Sequence, residues 1–359
     1  MPSRRGFLAA AAAALALPRA GWADAGAPSY LAAAKQPDGS MALYGLRADG
    51  AVAFHLPLPA RGHAAAGHPT APEAVVFARR PGRFALVVDC AAGRVRATLD
   101  APEGRHFYGH GAFIAGGDIL CTTENAFDTG DGVIGLWSRS DGWRRIGEVP
   151  SGGIGPHEIL SLPGDVLAVA NGGIRTHPDI GEGREAIDPD AMRPNLTYLD
   201  ADGRVLDVVE LDPALRPNSI RHLAHAEGTV AFAMQWQGDP YDAVPLLGLH
   251  RRGAPPVLAD PGPVEALAMK GYAGSVAADG QGARFAVTSP RGGRLQVFDR
   301  SGALVAAEDQ ADVCGIAPSA TGFVATDGTG GVRLWGDGPA RTVAHHVCNW
   351  DNHLVALPV

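Results

Sequence analysis

Phe285-Ala286-Val287-Thr288-Ser289-Pro290-Arg291-Gly292-Gly293-Arg294-Leu295-Gln296-Val297-Phe298 consists of two short apolar runs, Phe285–Thr288 and Leu295–Phe298, joined by a Gly-rich turn. Adjacent glycines make a tight reversal cheap, because positive φ costs them little, so the stretch predicts a β-hairpin. The same grammar recurs outward from it. Met41–Leu46 and Ala51–Leu56 flank Arg47-Ala48-Asp49-Gly50, and Phe84–Val88 and Val95–Leu99 flank Asp89-Cys90-Ala91-Ala92-Gly93. Leu196–Leu199 and Val205–Val209 flank Asp200-Ala201-Asp202-Gly203. Almost no segment keeps a helical period over three turns, so the chain reads as all-β.

The hairpins form a loose repeat. Seven junctions lead from a polar or Gly-rich cluster into an apolar run: Arg61-Gly62-His63, Gly109-His110-Gly111, Gly155-Pro156-His157-Glu158, Arg221-His222, Tyr272-Ala273-Gly274-Ser275, Asp312-Val313-Cys314-Gly315 and Asp351-Asn352-His353. Their successive spacings are 47, 47, 65, 50, 42 and 39 residues. A period of roughly 40–50 residues is that of a propeller blade of four short strands. The expectation is a seven-bladed β-propeller, set against a β-sandwich pair or a β-helix. Asn352–Val359 supplies one strand at the C-terminus, and Ser40–Leu56 a hairpin near the N-terminus without a blade start of its own. One blade built from both termini would close the ring and remove the open sheet edges. The longest gap holds a Gly-, Pro- and acid-rich insertion, His177 to Met192, which reads as a loop on one face.

The N-terminus, Ser3-Arg4-Arg5-Gly6-Phe7-Leu8, carries a twin-arginine signature ahead of an Ala/Leu-rich run, Leu8 to Leu17, too short to span a bilayer stably. Ala23-Asp24-Ala25 offers an A-x-A cleavage site. The expected organisation is a signal peptide over 1–25, an N-terminal segment over 26–39 and the propeller over 40–359, exported folded to the periplasm by the twin-arginine translocase. No membrane span is expected after signal cleavage. The full chain has a formal charge of −8 and the part after the signal near −10, which argues against nucleic acid or an anionic membrane surface as partner. In an oxidising compartment Cys90, Cys121, Cys314 and Cys348 allow three disulfide pairings. None lies in C-x-x-C-H, so covalent haem is not expected.

Blade starts converge on a propeller axis however far apart they lie in sequence. Five of the seven carry a histidine: His63, His110, His157, His222 and His353. Neutral imidazoles meeting on one axis are a ligand set for a transition metal, iron or copper among them. Glu158 is placed to orient an imidazole or to act as a ligand itself. Asp351 and Asp312 lie at comparable positions. Arg61, Arg105, Arg175, Arg221 and Arg291 occupy turns, and Arg61 and Arg221 adjoin the histidines, where a guanidinium would favour a carboxylate-bearing ligand. The competing reading is structural: rim histidines bonded to neighbouring backbone, and arginines in inter-blade ion pairs. G-x-S-x-G, H-E-x-x-H and P-loop motifs do not occur.

Arg61-Gly62-His63, Gly109-His110-Gly111, Asn171-Gly172-Gly173-Ile174-Arg175-Thr176-His177-Pro178, Ser219-Ile220-Arg221-His222-Leu223, Thr288-Ser289-Pro290-Arg291-Gly292-Gly293, Asp312-Val313-Cys314-Gly315 and Trp350-Asp351-Asn352-His353 together resemble the signature segments of a family of exported bacterial propellers without an assigned activity. Its members are usually encoded beside imelysin-type iron-regulated lipoproteins and a dihaem peroxidase-like protein. The resemblance covers essentially the whole chain after the signal. It implies a periplasmic propeller associated with iron acquisition, with imelysin-type or other iron-uptake proteins as partners, and it assigns no catalytic residue. The leading expectation is therefore a binding protein for a transition metal or its chelate at the axial histidines. The alternatives are a metal-dependent oxidoreductase or hydrolase at the same rim, with Glu158 as acid or base, and a non-catalytic interaction scaffold of an iron-uptake system.

Overall fold

The computed structural model describes residues 20–79, 83–180, 186–336, 338 and 340–357. The twin-arginine motif and the apolar run behind it lie outside the described residues.

Seven four-stranded antiparallel sheets surround one axis. Their innermost strands are Gly62–Gly67, Arg105–Ile114, Pro156–Leu162, Asn218–Ala226, Ser275–Ala278, Val313–Ser319 and Asn349–Ala356, which define blades 1 to 7 in that order. Blades 1 to 6 are each continuous in sequence. Blade 7 takes its inner strand from the C-terminus and its other three, Tyr30–Lys35, Met41–Leu46 and Val52–Leu58, from the N-terminus. The ring is closed by antiparallel pairing in which Tyr30 faces Ala356 and Lys35 faces Asn349. Tyr30–Lys35 falls within the segment 26–39. Its run of small apolar residues carries no hairpin turn chemistry on its N-terminal side, so nothing local marks it as a strand.

Burial follows position within a blade. Every residue of Glu73–Ala78, the second strand of blade 1, is buried, whereas the outermost strand, Arg94–Asp100, is largely exposed. Inner and second strands are covered on both faces by the neighbouring blades, which is why they read as continuous apolar runs rather than alternating ones. The cores therefore lie between blades. Phe77 and Leu99 from blade 1 meet Phe107, Leu120 and Trp137 from blade 2.

The turn Trp22–Ala25 holds the expected A-x-A segment and packs on the closing blade. The Trp22 indole donates to the His68 carbonyl at 3.0 Å, and Ala25 is buried beside Leu31 and Leu357. Among its described residues, the insertion before Asn195 includes the short 3-10 turn Pro189–Ala191. Among the described residues, no helix is long and apolar enough to cross a membrane. All four cysteines are free and buried, and burial pushes the thiols of Cys90, Cys121 and Cys314 up to about 12.

Closure makes the second strand of blade 7 a sensitive place. Leu31 is fully buried in it. Leu31→Ala is expected to cost about 2–5 kcal/mol by leaving a cavity, whereas Val305→Ala on an exposed outer strand should change stability by less than about 0.5 kcal/mol. Equilibrium chemical denaturation of both variants measures the contrast.

Candidate metal centre

Six of the seven inner strands break register at the end where they enter the axis. In blade 1 Gly62 pairs with Ala78 but Ala65 with Val76. In blade 2 Phe107 pairs with Glu124 and Gly111 with Thr122, and in blade 3 the shift falls between Pro156 and Glu158. In blade 4 it falls between Ile220 and His222, in blade 6 between Val313 and Ile316, and in blade 7 between Trp350 and Leu354. A bulge inserts residues that have no partner on the next strand and re-aims their side chains. Five of these bulges contain or adjoin His63, His110, His157, His222 and His353. Carbonyls released by the bulges find other donors. The Thr123 hydroxyl donates to the His110 carbonyl at 3.2 Å, and that of Thr288 to the Cys314 carbonyl at 2.5 Å.

Two glycines make the blade 2 bulge possible. Gly109 has φ of +106°, and a Cβ there would stand 2.5 Å from Cδ2 of His63. A Cβ at Gly111 would meet the Phe77 ring at 2.6 Å. The Gly109-His110-Gly111 triplet is thus the local condition for bringing His110 beside His63.

The five imidazoles face one another. Ring centroids are 4.5 Å apart for His63 and His353, 4.7 Å for His110 and His353, and 4.8 Å for both His157–His222 and His222–His353. His110 Nε2 lies 3.2 Å from His63 Nε2. His110, His157, His222 and His353 are buried, and His63 is half-buried. Two triads, His63–His110–His157 and His110–His222–His353, each bring one nitrogen per ring within 4.8 Å of the others. Nitrogens bonded to one metal at about 2.0–2.1 Å are separated by roughly 3.0–3.4 Å in octahedral or tetrahedral geometry, so the His63–His110 spacing already suits a shared ion. Nδ1 of His63, Nδ1 of His157 and Nε2 of His353 are buried without a hydrogen-bond partner. Each such nitrogen costs on the order of 1–3 kcal/mol when it has no partner, a deficit that a metal bond at that same atom would remove, whereas an ion shared through Nε2 of His63 and His110 would leave Nδ1 of His63 as it is. The donor set and the unpaired nitrogens therefore fit a metal ion.

Burial and nearby positive charge keep the imidazoles neutral. Burial, then the neighbouring imidazoles, hold His63 and His110 well below the usual histidine range. Burial and then Arg221 bring His222 down to about 3, and burial and then His222 bring His353 to about the same value. Neutral imidazole is the ligating form. Glu158 bonds not to its sequence neighbour but across to His222, with Oε2 3.1 Å from Nδ1, and its Oε1 lies 3.8 Å from His110 Nδ1. Burial pushes the Glu158 carboxyl up to about 7.

The charged residues expected around the histidines divide. Asp351 is buried and takes Arg61 at 2.5 Å and Arg79 at 3.1 Å. Arg61 is thus half of an ion pair, and Arg79, which no motif marks, is the other cation on that carboxylate. Arg221 adjoins His157 and His222 and disfavours their charged forms. Arg105 is elsewhere, bidentate on Glu148 at 2.6 and 3.0 Å, and Arg291 stacks over Tyr272 at 4.4 Å. Asp312 sits apart from the cage, in a recess near Cys314 and Gly328.

Two expectations follow. Gly109→Ala places a methyl on the His63 ring at a backbone angle that disfavours it, and should cost about 1–3 kcal/mol while abolishing metal uptake; thermal melts and equilibrium dialysis read both effects. In the metal-free protein, the imidazoles bind protons near 6.5 when unfolded and only far lower when folded. The folded state therefore binds fewer protons in that window. Stability is full above about pH 6.5 and falls as pH drops toward 3. His222→Gln keeps a neutral polar side chain without that titration, so its loss of Tm between pH 7 and pH 5 should be shallower than in the wild type.

No curated protein matches the chain. Among solved structures, hydrazine synthase of Kuenenia stuttgartiensis is similar with a TM-score of 0.60 at 12% identity, covering 89% of this chain and 96% of that one. BamB from Moraxella catarrhalis is similar with a TM-score of 0.55 at 12% identity, covering 91% and 83%. At that identity the likeness is one of fold. A family profile matches residues 56–357, nearly the whole ring of blades and all five axial histidines. The chain belongs to the family described as "Protein of unknown function (DUF1513)".

Proposed function

We propose that this protein is a periplasmic metal-binding propeller, exported by the twin-arginine translocase, that holds one transition-metal ion in the axial histidine cage and serves iron acquisition alongside imelysin-type proteins. The observation that carries the binding reading is the mutual contact of five imidazoles, three of which keep a buried nitrogen without a partner. Histidines that merely fixed blade packing would be tied one by one to backbone groups, as a scaffold requires. An all-imidazole set suits iron, copper, nickel or zinc. Iron is preferred because of the resemblance to exported propellers encoded with iron-uptake proteins. Folded export agrees with a cage assembled from residues spread over nearly 300 positions, which exists only after the ring has closed.

A metal-dependent oxidoreductase or hydrolase is the second reading, and one feature favours it. Glu158 stands within hydrogen-bonding reach of His222 with a proton affinity near neutrality, as a general acid or base needs.

Mass-spectrometric metal analysis of protein purified from the periplasm should find about one iron or copper per chain, lost in a His63→Ala/His157→Ala variant. Saturating metal at about a hundred times its Kd should stabilise the wild type by about 2.7 kcal/mol and leave the double variant unmoved in thermal denaturation. A wild type without metal that takes up none on titration overturns the proposal and leaves the scaffold ahead.

A further inference from the structure

Gly21–Ala25 lies at the seam where the ring closes, between blade 7 and blade 1. Trp22–Ala25 forms a single 3-10 turn, and the Asp24 carboxylate accepts from the Gly21 amide at 2.8 Å. At the other end the Gly26 amide donates to the Ala23 carbonyl at 3.1 Å, and the Ala27 amide to the Trp22 carbonyl at 3.0 Å. The Trp22 indole reaches blade 1 through the His68 carbonyl, and a Cβ on Gly67 would stand 3.6 Å from its ring. Ala25 is 5% exposed and packs with Leu31 of blade 7 and with Leu357. The Gly26 carbonyl accepts from Arg47 Nε at 3.1 Å, and a Cβ on Gly26 would stand 3.3 Å from that of Ala53. Both residues of the Ala25–Gly26 bond are therefore fixed to blade 7.

That bond is the one the A-x-A pattern marks for signal cleavage. An enzyme that binds a peptide as an added strand needs its backbone extended and its alternate side chains free to enter pockets. Ala23 and Ala25 are the side chains that would have to enter. In the folded protein the backbone here is a helical turn, and the Trp22 and Ala23 carbonyls are taken by amides of the turn itself. The Ala25 methyl is packed in the core of the closing blade. Cleavage at this bond requires the turn to unwind and both Trp22 and Ala25 to leave their contacts. Proteolysis concentrates instead where backbone is exposed and free of such ties. Ala20, directly ahead of the turn, is exposed and small.

We infer that signal processing falls on the N-terminal side of Gly21, and that Gly21–Ala25 stays in the exported protein as a clasp over the seam of the ring. The boundary expected at residue 25 moves to residue 20 or earlier. This rests on the folded export proposed above, because a chain threaded unfolded presents Ala25 before the turn can form. It does not depend on the metal. Retention gives the segment a part in the fold. Blade 7 is completed by both chain ends, and Trp22 ties its N-terminal side to blade 1 beside the ladder that joins them.

The test is N-terminal sequencing and intact mass of the exported protein, recovered from the periplasm and the inner-membrane fraction after expression of the full chain. The expected N-terminus is Gly21 or a residue ahead of it. Any later N-terminus, Gly26 above all, overturns the inference. Trp22→Ala leaves the A-x-A pattern as it is and removes the tie to blade 1. Its exported form should melt about 2–4 °C below the wild type. Equal melting temperatures overturn the clasp, because residue 22 is then either removed or idle. Arg4→Lys/Arg5→Lys separates this inference from the reading it rests on, since that variant should stay in the cytoplasm. Export that continues in the double-lysine variant overturns the folded route. A Gly26 start in protein whose export the variant blocks overturns the clasp alone.

Discussion

The pairing of Tyr30–Lys35 with Asn349–Ala356 is the constraint on which the rest of the molecule depends. A row of seven blades held only by neighbour packing would have two open sheet edges and no defined axis. This ladder joins the chain ends, fixes the number of blades in the circuit and brings the inner strand of blade 7 against that of blade 1. His353 and His63, nearly 300 residues apart, thereby meet with ring centroids 4.5 Å apart. Tyr30 adds a link to the other neighbour, donating from its hydroxyl to the Pro318 carbonyl of blade 6 at 2.9 Å.

Given the closed ring, the bulges do the local work. A regular inner strand spreads its side chains over the two adjacent blade faces, as Ser275–Ala278 does, and sends none as far as an imidazole onto the axis. The register breaks in blades 1, 2, 3, 4 and 7 place a histidine at the same level in each. The cage that results is costly without an ion, because imidazole nitrogens are buried unpaired and cannot be relieved by protonation at neutral pH. Glu158 relieves part of that cost by bonding to His222, and the Arg61–Asp351–Arg79 group neutralises a buried carboxylate. The arrangement is poor packing whose histidine groups could hold a metal ion, and blades 5 and 6 contribute no imidazole to it.

Particular residues show how far the sequence was legible. The blade count followed from turn chemistry such as Ser289-Pro290-Arg291-Gly292-Gly293, because the conformational needs of a tight turn are met locally. The five histidines stood out because each lies at the same place in its repeat. Tyr30–Lys35 did not stand out as a strand, since its pairing partner is at the other end of the chain. Arg79 was likewise invisible, because only its distance to Asp351 gives it a role. Arg105 and Arg291 shared the turn context of Arg61 but were carried by their blades to other partners. The four cysteines, countable as three sets of pairs, are separate buried thiols.

The sequence by itself determined the all-β class, the seven-fold repeat and the residue types available at the axis, because hairpin turns and apolar periodicity are properties of neighbours along the chain. Tertiary structure alone decided that the histidines face one another rather than backbone, that Glu158 serves His222 rather than His157, and that Arg79 joins Arg61 on Asp351. Those outcomes depend on strand register and ring closure, where a shift of one residue redirects a side chain and no local pattern records the direction.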